Sequence, residues 1–369
     1  MTIVRFLAAA WCVLGPFSLS SYAANINGEA TYVSFSVPGA IQGTFPMSIN
    51  ASMTVTGYYN PSSTETRGFL RDPDGTFTTF DIPGAVLTVP ESINTAGDVT
   101  GFYQLPAGLS QGFLRYAGGR IVTFDLSGGI QDPFSPPEVF PMSAQPISIN
   151  DFDDIAGTYP LYGRPNVFFR SAAGVYTAQI SFGRETVATA INASGSVVGY
   201  ASGYSGPSIY TGFVVHPDGY RSTITVPLPP AQENGCISQA LPDGINAAGT
   251  IAGWYLNSCG NIPGLFTMSP DGAFTTFQTP GLLVASPVFN GMGSHSISID
   301  QAGDITGSYT DTTGVQHGFV RNAYGTLTTF DPPEGKQTTA TSISDGGAIA
   351  GWYQYNAGGG PPVGFIRVP

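Results

Sequence analysis

Charged residues are scarce in this chain, and basic residues are the scarcest. Only 10% of the 369 residues are charged, Lys336 is the single lysine, and the net charge at pH 7 is −12. Because like charges repel, a phosphate backbone or an anionic membrane surface is a poor partner for such a chain. We therefore expect no nucleic-acid partner.

Long apolar runs are absent after the first 24 residues, and no apolar stretch has the helical period. Residues 1–24 place Arg5 before a short apolar run, which ends in the small residues Ala23 and Ala24. This layout is typical of a secretory signal peptide, with a retained N-terminal anchor as the alternative. The run is too short for a comfortable membrane span, and no second one follows, so we expect no span after signal removal.

Removal of residues 1–24 takes away one arginine and no acid, so the mature chain carries a net charge of −13. We predict that residues 25–369 are secreted or periplasmic and form a monomer.

Cysteine is also rare, with three in the whole chain. Cys12 lies within the signal peptide, which leaves Cys236 and Cys259 in the mature protein. An even pair of cysteines in an exported protein predicts a disulfide bond. Two buried free thiols or a reactive pair are the alternatives.

Glycine and proline are abundant instead, with 49 and 30 residues. The 42% of hydrophobic residues suffices for a core, which excludes a disordered chain. Because β-branched and aromatic side chains suit a pleated sheet, the composition favours β-structure, and we expect few helices.

A twelve-residue motif, SINTAGDVTGFY at 92–103, occurs in seven copies separated by 42 to 56 residues. A second element of the type GFLRDPDGTFTTFD (68–81) follows the copies, and each unit contains four short β-like runs, which we name a, b, c and d. Four strands per repeat of about 40–50 residues are typical of a β-propeller blade. The shared isoleucines are Ile49, Ile93, Ile149, Ile191, Ile245, Ile299 and Ile343.

Both ends of the mature chain indicate a closed ring. The last unit lacks strand d, and TYVSFSVPGA at 31–40 matches the d-strand text TFTTFDIPGA at 76–85. An N-terminal strand that completes the C-terminal blade would leave no unpaired sheet edge. We therefore predict an all-β fold, a single seven-bladed β-propeller over 25–369. An open β-solenoid and two sheets packed as separate domains are the alternatives.

The alternation of Gly-Phe-x-Arg, a glycine turn, Thr-Thr-Phe-Asp and the SIN motif resembles the HAF family of probable extracellular repeats, found in exported bacterial proteins. The resemblance covers almost the whole mature chain. Where the family has His-Ala-Phe, this chain reads Gly-Phe, and only His317-Gly318-Phe319 keeps a histidine before it. The resemblance implies an exported propeller and no established activity.

The asparagine of the repeated motif is interpreted as a turn residue. Asparagine, aspartate and serine alternate at this position, and all three offer a short side-chain acceptor to the backbone of a turn. The glycine three residues later fits a positive φ. One copy carries Asn150, Asp151, Asp153 and Asp154, a candidate site for calcium, which takes six to eight oxygen ligands. A solvated acidic turn is the alternative, and we predict no cofactor.

Connection lengths divide the predicted propeller into two faces. The a–b and c–d turns are short and similar and form what we call the uniform face. The b–c and d–a connections are long and varied and form the variable face. Because scaffolds carry function on variable loops, we place any site there. The binding candidates are Asp132, Phe134, Phe140, Asn234, Phe289 and Asn290, and the catalytic candidates are Glu138, Glu233, His295 and His317.

The catalytic candidates suggest two arrangements. His295 and His317 could form a metal or general-base pair, and Glu138 with Glu233 or Asp132 could form a glycosidase-type carboxylate pair. Solvated loop side chains are the alternative for all of them. The sequence contains no HExxH, GxSxG or CxxC motif.

The segregation of variable loops favours an exported recognition scaffold that binds a glycan or a cell-envelope component. A polysaccharide hydrolase or lyase, and a structural surface protein without a small ligand, are the alternatives.

Overall fold

The computed structural model describes residues 30–106, 108–126, 143–161, 164–180, 185–203, 210–228, 236, 238–257, 264–280, 297–355 and 359–369. All regular secondary structure in these segments is β-strand. The same segments hold no helix of the length and apolarity that a bilayer crossing requires. The predicted signal peptide, 1–24, lies outside the described residues.

The strands of the described segments form seven four-stranded antiparallel sheets, with β1 at Thr31–Phe35. Blade 1 contains β2 (Thr44–Ile49), β3 (Val55–Tyr59), β4 (Arg67–Arg71) and β5 (Phe77–Phe80). Blade 2 contains β6 (Leu87–Ile93), β7 (Val99–Gln104), β8 (Ser110–Arg115) and β9 (Ile121–Phe124). Blade 3 contains β10 (Gln145–Ile149), β11 (Ile155–Leu161), β12 (Arg164–Arg170) and β13 (Tyr176–Ile180). Blade 4 contains β14 (Glu185–Ile191), β15 (Val197–Ser202), β16 (Tyr210–Val215) and β17 (Arg221–Ile224).

The remaining blades repeat this order. Blade 5 contains β18 (Ser238–Ile245), β19 (Ile251–Asn257), β20 (Gly264–Met268) and β21 (Phe274–Phe277). Blade 6 contains β22 (Ile297–Ile299), β23 (Ile305–Thr310), β24 (Gln316–Arg321) and β25 (Leu327–Phe330). Blade 7 contains β26 (Gln337–Ile343), β27 (Ile349–Gln354) and β28 (Val363–Val368), with β1 as its fourth strand.

The ring of blades is closed. The first strands of the seven blades contact one another in sequence, and β2 of blade 1 contacts β26 of blade 7. β1 pairs antiparallel with β28, from Thr31 opposite Val368 to Phe35 opposite Gly364. The N-terminal strand therefore completes the C-terminal blade. The predicted seven-bladed propeller and the predicted mode of closure are both confirmed.

A β-bulge in strand a faces a glycine in strand b. In blade 1 the register shifts between Pro46 and Ser48. A Cβ added to Gly57 of strand b would lie 2.1 Å from the carbonyl oxygen of Phe45, so only glycine allows this approach. The inserted residue of the bulge faces the neighbouring blade, as when the Thr341 hydroxyl donates to the carbonyl of Pro46 at 3.1 Å. The glycine therefore allows strands a and b of one blade to approach closely, and the bulge residue adds a contact to the neighbouring blade.

One phenylalanine per blade forms the centre of each blade-to-blade core. It stands in strand c and has no exposed surface in any blade. Burial of an aromatic side chain of this size contributes roughly 2–3 kcal/mol of folding free energy. The seven are Phe69, Phe113, Phe168, Phe213, Phe266, Phe319 and Phe365.

An arginine at the end of strand c bridges adjacent blades. Its guanidinium lies over the last phenylalanine of strand d in the preceding blade, and this cation–π contact occurs at five interfaces. The distances from guanidinium carbon to ring centroid are 5.0 Å for Arg71–Phe35, 5.1 Å for Arg115–Phe80, 4.8 Å for Arg170–Phe124, 4.5 Å for Arg321–Phe277 and 5.1 Å for Arg367–Phe330. These arginines therefore stabilise the contacts between adjacent blades.

Candidate functional site

The two faces differ as the sequence predicted. Every a–b turn and every c–d turn that joins two strands spans five residues, as at 50–54 and 72–76. On the opposite face the connections between strands run from two residues at 162–163 to twenty at 125–144. The uniform face therefore repeats one geometry, whereas the variable face changes from blade to blade.

On the uniform face, each motif asparagine bonds in two directions. The Asn50 Oδ1 accepts the N–H of Thr54 at 3.0 Å, which closes its own turn as predicted. Its Nδ2 donates to the carbonyl of Asn94 in the next blade at 3.1 Å. Asn94, Asn150, Asn192 and Asn246 repeat the donation to the next copy at 3.0–3.3 Å. The motif is therefore a blade-to-blade connector as well as a turn.

The mouth of the central channel on the uniform face is a cavity of about 200 Å³, ringed by the seven repeated isoleucines and the turn residues after them. Two of those residues, Asp151 and Asp345, are acidic, and each accepts a backbone N–H from the preceding blade. These carboxylates hold neighbouring turns together.

The candidate calcium residues do not converge. Asp151 accepts the N–H of Thr95 at 2.9 Å, and Asp154 accepts the N–H of Ala172 at 3.1 Å. Asp153 accepts the Asn94 amide at 3.0 Å, and Asn150 caps its own turn. In the described segments no three His, Cys, Asp or Glu side chains are arranged to hold a metal ion. The oxygens of this turn connect it to its neighbours.

His317 lies on the variable face, between two carboxylates. Its Nδ1 is 2.7 Å from Oδ2 of Asp331, in the d–a connection, and its Nε2 is 3.4 Å from Oδ2 of Asp311, in the b–c connection. The Thr338 hydroxyl donates to the other Asp331 oxygen at 2.5 Å. The ring packs on Tyr309, with centroids 5.3 Å apart. One histidine thus links two loops of blade 6 to the first strand of blade 7.

The electrostatics of this group favour the charged imidazolium. Partial burial lowers the pKa of His317, but the hydrogen bonds and charges of Asp331 and Asp311 outweigh it, and the pKa lies above its usual value. Hydrogen bonds from the Thr313 side chain and the Val315 N–H hold the pKa of Asp311 well below its usual range. Protonated His317 can donate two charge-assisted hydrogen bonds, which suits a loop clamp or a general acid.

The other predicted site residues lie outside the described residues. Their positions relative to His317 are therefore not described, and their roles stay predictions. They are Glu138, Glu233, His295, Asp132, Phe134, Phe140, Asn234, Phe289, Asn290 and Cys259. Cys236 is described and is disulfide-bonded, and its pairing with Cys259 stays a prediction.

Sequence reasoning missed the two acidic partners of His317. Asp331 ends the Thr-Thr-Phe-Asp text, which recurs with Asp81 in blade 1, so the repeat contained a signal for it. Asp311 stands in the b–c connection of blade 6, whose sequence DTTGV does not recur in the other blades, so no repeat could reveal it.

A second missed residue is Glu91, in the bulge of β6. It is 1% exposed, and neither carboxyl oxygen has a hydrogen-bond partner. Burial raises its pKa well above the usual value, which favours the neutral form of the acid. It stands close enough to Tyr58 to help burial raise the pKa of that phenol to about 12.

No family model matches the sequence, and no curated protein matches it significantly. Solved structures do match. An oligogalacturonate lyase from Vibrio parahaemolyticus superposes with a TM-score of 0.57 at 9% identity, over 92% of this chain and 96% of that chain. A catalytically inactive variant of virginiamycin B lyase from Staphylococcus aureus, with quinupristin, gives 0.54 at 14% identity, over 92% and 100%. A streptogramin B lyase gives 0.54 at 13%, over 92% and 98%. At these identities the likeness shows the propeller fold alone.

Proposed function

We propose that this chain is an exported recognition scaffold that binds a glycan or another cell-envelope component through the variable face. The observation that carries the proposal is the contrast between the faces. Turns of the uniform face repeat one five-residue geometry and bond to each other, whereas connections of the variable face differ in length by up to tenfold. A scaffold that conserves one face internally and diversifies the other is suited to recognition by loops.

Three further features support the proposal. The signal-peptide-like N-terminus and the resemblance to the HAF repeat favour export. Few charges and many aromatic residues suit an uncharged ligand with apolar ring faces. The clamp at His317 stiffens two loops, which lowers the entropy cost of binding on that face.

The test uses a glycan array and purified mature protein. We expect binding that is lost when aromatic candidates of the variable face are truncated, in Phe134→Ala, Phe140→Ala and Phe289→Ala. Matched controls remove aromatic residues that are exposed on the uniform face, Phe152→Ala and Tyr324→Ala, and these should bind like the parent. Binding that only the uniform-face variants abolish, or an array without any signal, would reject the proposal.

The second candidate function is a polysaccharide lyase or hydrolase, and the pair His317–Asp331 favours it. A histidine oriented by a carboxylate is a common acid–base catalyst. Incubation with polysaccharides should then yield new reducing ends or unsaturated products, and His317→Ala should abolish them. Product formation that survives His317→Ala would exclude this residue as the catalyst.

A further inference from the structure

A groove of about 640 Å³ lies on the outer wall of the propeller, where blades 2 and 3 meet. Blade 2 contributes Gln111, Thr123 and Asp125, and blade 3 contributes Val175 and Tyr176. Asp125 is the first residue of the 125–144 connection, whereas the other four residues lie in strands c and d or in the c–d turn of blade 3. The volume falls within the 300–1,000 Å³ that small-ligand sites occupy.

The interface between blades 6 and 7 contains the same constellation. Tyr176 packs on Phe124 with centroids 6.3 Å apart, and Tyr32 packs on Phe330 at 6.4 Å. In each case the arginine that stacks on the phenylalanine also hydrogen-bonds the tyrosine. Asp125 follows the first phenylalanine as Asp331 follows the second.

The two interfaces differ in the side chains beside the aspartate. Between blades 6 and 7, His317 and Thr338 both bind Asp331. The strand register gives Gln111 the position of His317, because each stands opposite the last tyrosine of strand b. Ala144, one residue before β10, takes the position of Thr338, the second residue of β26. At the interface that contains the groove, Gln111 therefore stands in place of His317, and Ala144 stands in place of Thr338.

The groove lining matches the chemistry of sugar hydroxyls. A hydroxyl both donates and accepts, and the lining offers a carboxylate, an amide, a threonine hydroxyl and a phenol. The Tyr103 hydroxyl donates to Oε1 of Gln111, which orients the amide. The Tyr176 ring adds an apolar surface of the kind that the C–H face of a sugar can cover. The half-buried Asp125 carboxylate disfavours an anionic sugar, because like charges repel.

From this geometry we propose that the groove between blades 2 and 3 binds an uncharged carbohydrate segment. The inference rests on the proposed function for its ligand class, and adds a site on the outer wall that meets the variable face at Asp125. Asp125 and Gln111 would hydrogen-bond adjacent hydroxyls, and Tyr176 would carry the sugar ring.

The test is calorimetric titration of the mature chain with maltotriose, cellotriose, triacetylchitotriose and trigalacturonate. We expect at least one neutral trisaccharide to bind and trigalacturonate to bind at least tenfold more weakly. Asp125→Asn and Tyr176→Phe keep the side-chain shapes, and each should weaken binding about tenfold. The matched control is Asp81→Asn, the equivalent aspartate of blade 1, where Ile121 replaces the tyrosine; it should bind like the parent.

Three results would overturn the proposal. The first is no heat with any of the four sugars. The second is tighter binding of trigalacturonate than of the neutral sugars. The third is a sugar that binds Asp125→Asn and Tyr176→Phe normally but does not bind Phe134→Ala or Phe289→Ala. This result would exclude the groove as the binding site and would be consistent with the proposed function.

Discussion

Asp300 is the residue at which the series of asparagine amide bonds stops. Five asparagines donate an amide hydrogen to the next copy, and the last of them, Asn246, donates to the carbonyl of Asp300 itself. Asp300 is 3% exposed, and burial raises the pKa of its carboxyl. An ionised carboxylate has no hydrogen to pass on, and the next residue in the series, Ser344, has a buried hydroxyl without a partner.

We predict that Asp300→Asn stabilises the protein by about 1 kcal/mol at pH 7, the typical net value of a buried hydrogen bond. A folded-state pKa above the unfolded value means that the carboxyl favours folding at low pH and loses this contribution as pH rises through the folded pKa. The advantage of the variant should therefore shrink between pH 7 and pH 4. Urea unfolding monitored by fluorescence across this range measures it.

The reverse substitution, Asn246→Asp, is the control. It places a carboxylate at the equivalent position of blade 5, so it should destabilise the protein at pH 7 and less at pH 4. A variant Asp300→Asn that unfolds at lower urea than the parent at pH 7 would contradict the interpretation.

At the scale of the strand, the residue at the end of strand c varies together with the residue at the end of the preceding strand d. The interfaces with an arginine in strand c have a phenylalanine in the preceding strand d, as in Arg321 over Phe277. Where the arginine position is Met268, the preceding strand d ends in Ile224, and the two pack together in one apolar cluster. The chain thus contains two solutions to the same inter-blade contact, one cationic and one aliphatic.

The two solutions make a double-mutant cycle possible. We expect Arg321→Met and Phe277→Ile each to lower the free energy of unfolding by about 1–2 kcal/mol, because each leaves a partner without its contact. The double variant reproduces the Met268–Ile224 pair, so its loss of stability should be smaller than the sum of the two single losses by about 1 kcal/mol. Denaturant midpoints of the four proteins give the coupling. Strictly additive costs would show that the cation and the ring do not interact.

Strand positions could be predicted from the sequence because a seven-fold repeat averages out local ambiguity. The four short β-like runs expected in each unit are the four strands of each blade. The bulge in strand a was not predicted. Because almost every copy of the repeat contains the inserted residue, an alignment of the copies gives no sign of it. The donor role of the asparagine was missed for a different reason. Its partner carbonyl lies 44 residues away from Asn50, in another blade.

The candidate site was predicted less well than the strands. The repeat located the variable face and His317 on it, because loop lengths and strand ends can be read along the chain. Asp331 approaches His317 because strands c and d of blade 6 pair with Gly318 opposite Phe330, which places the next residue on each strand side by side. The contact of Asp311 with the same ring depends on the path of the b–c connection, which the repeat does not specify.

At the scale of the whole molecule, the ring depends on β1. Without this strand, β28 would be an unpaired edge, and exposed edges promote association between chains. We predict that a chain starting at residue 37 melts well below one starting at residue 30 and forms oligomers. Calorimetry and light scattering after size-exclusion chromatography measure both effects. Addition of a synthetic peptide of residues 30–38 should restore part of the lost stability, and equal melting of the two chains would show that closure contributes nothing.

The pairing of β1 with β28 also determines how the protein responds to mechanical tension. Thr31 at the start of the described chain lies opposite Val368 at its end, so both termini leave blade 7 from the same end of one antiparallel pair. A force that pulls the termini apart therefore loads the hydrogen bonds one after another instead of shearing them together. The strand should peel open at low force, whereas a pull across the disc, through two opposite blades, meets every inter-blade contact on its path.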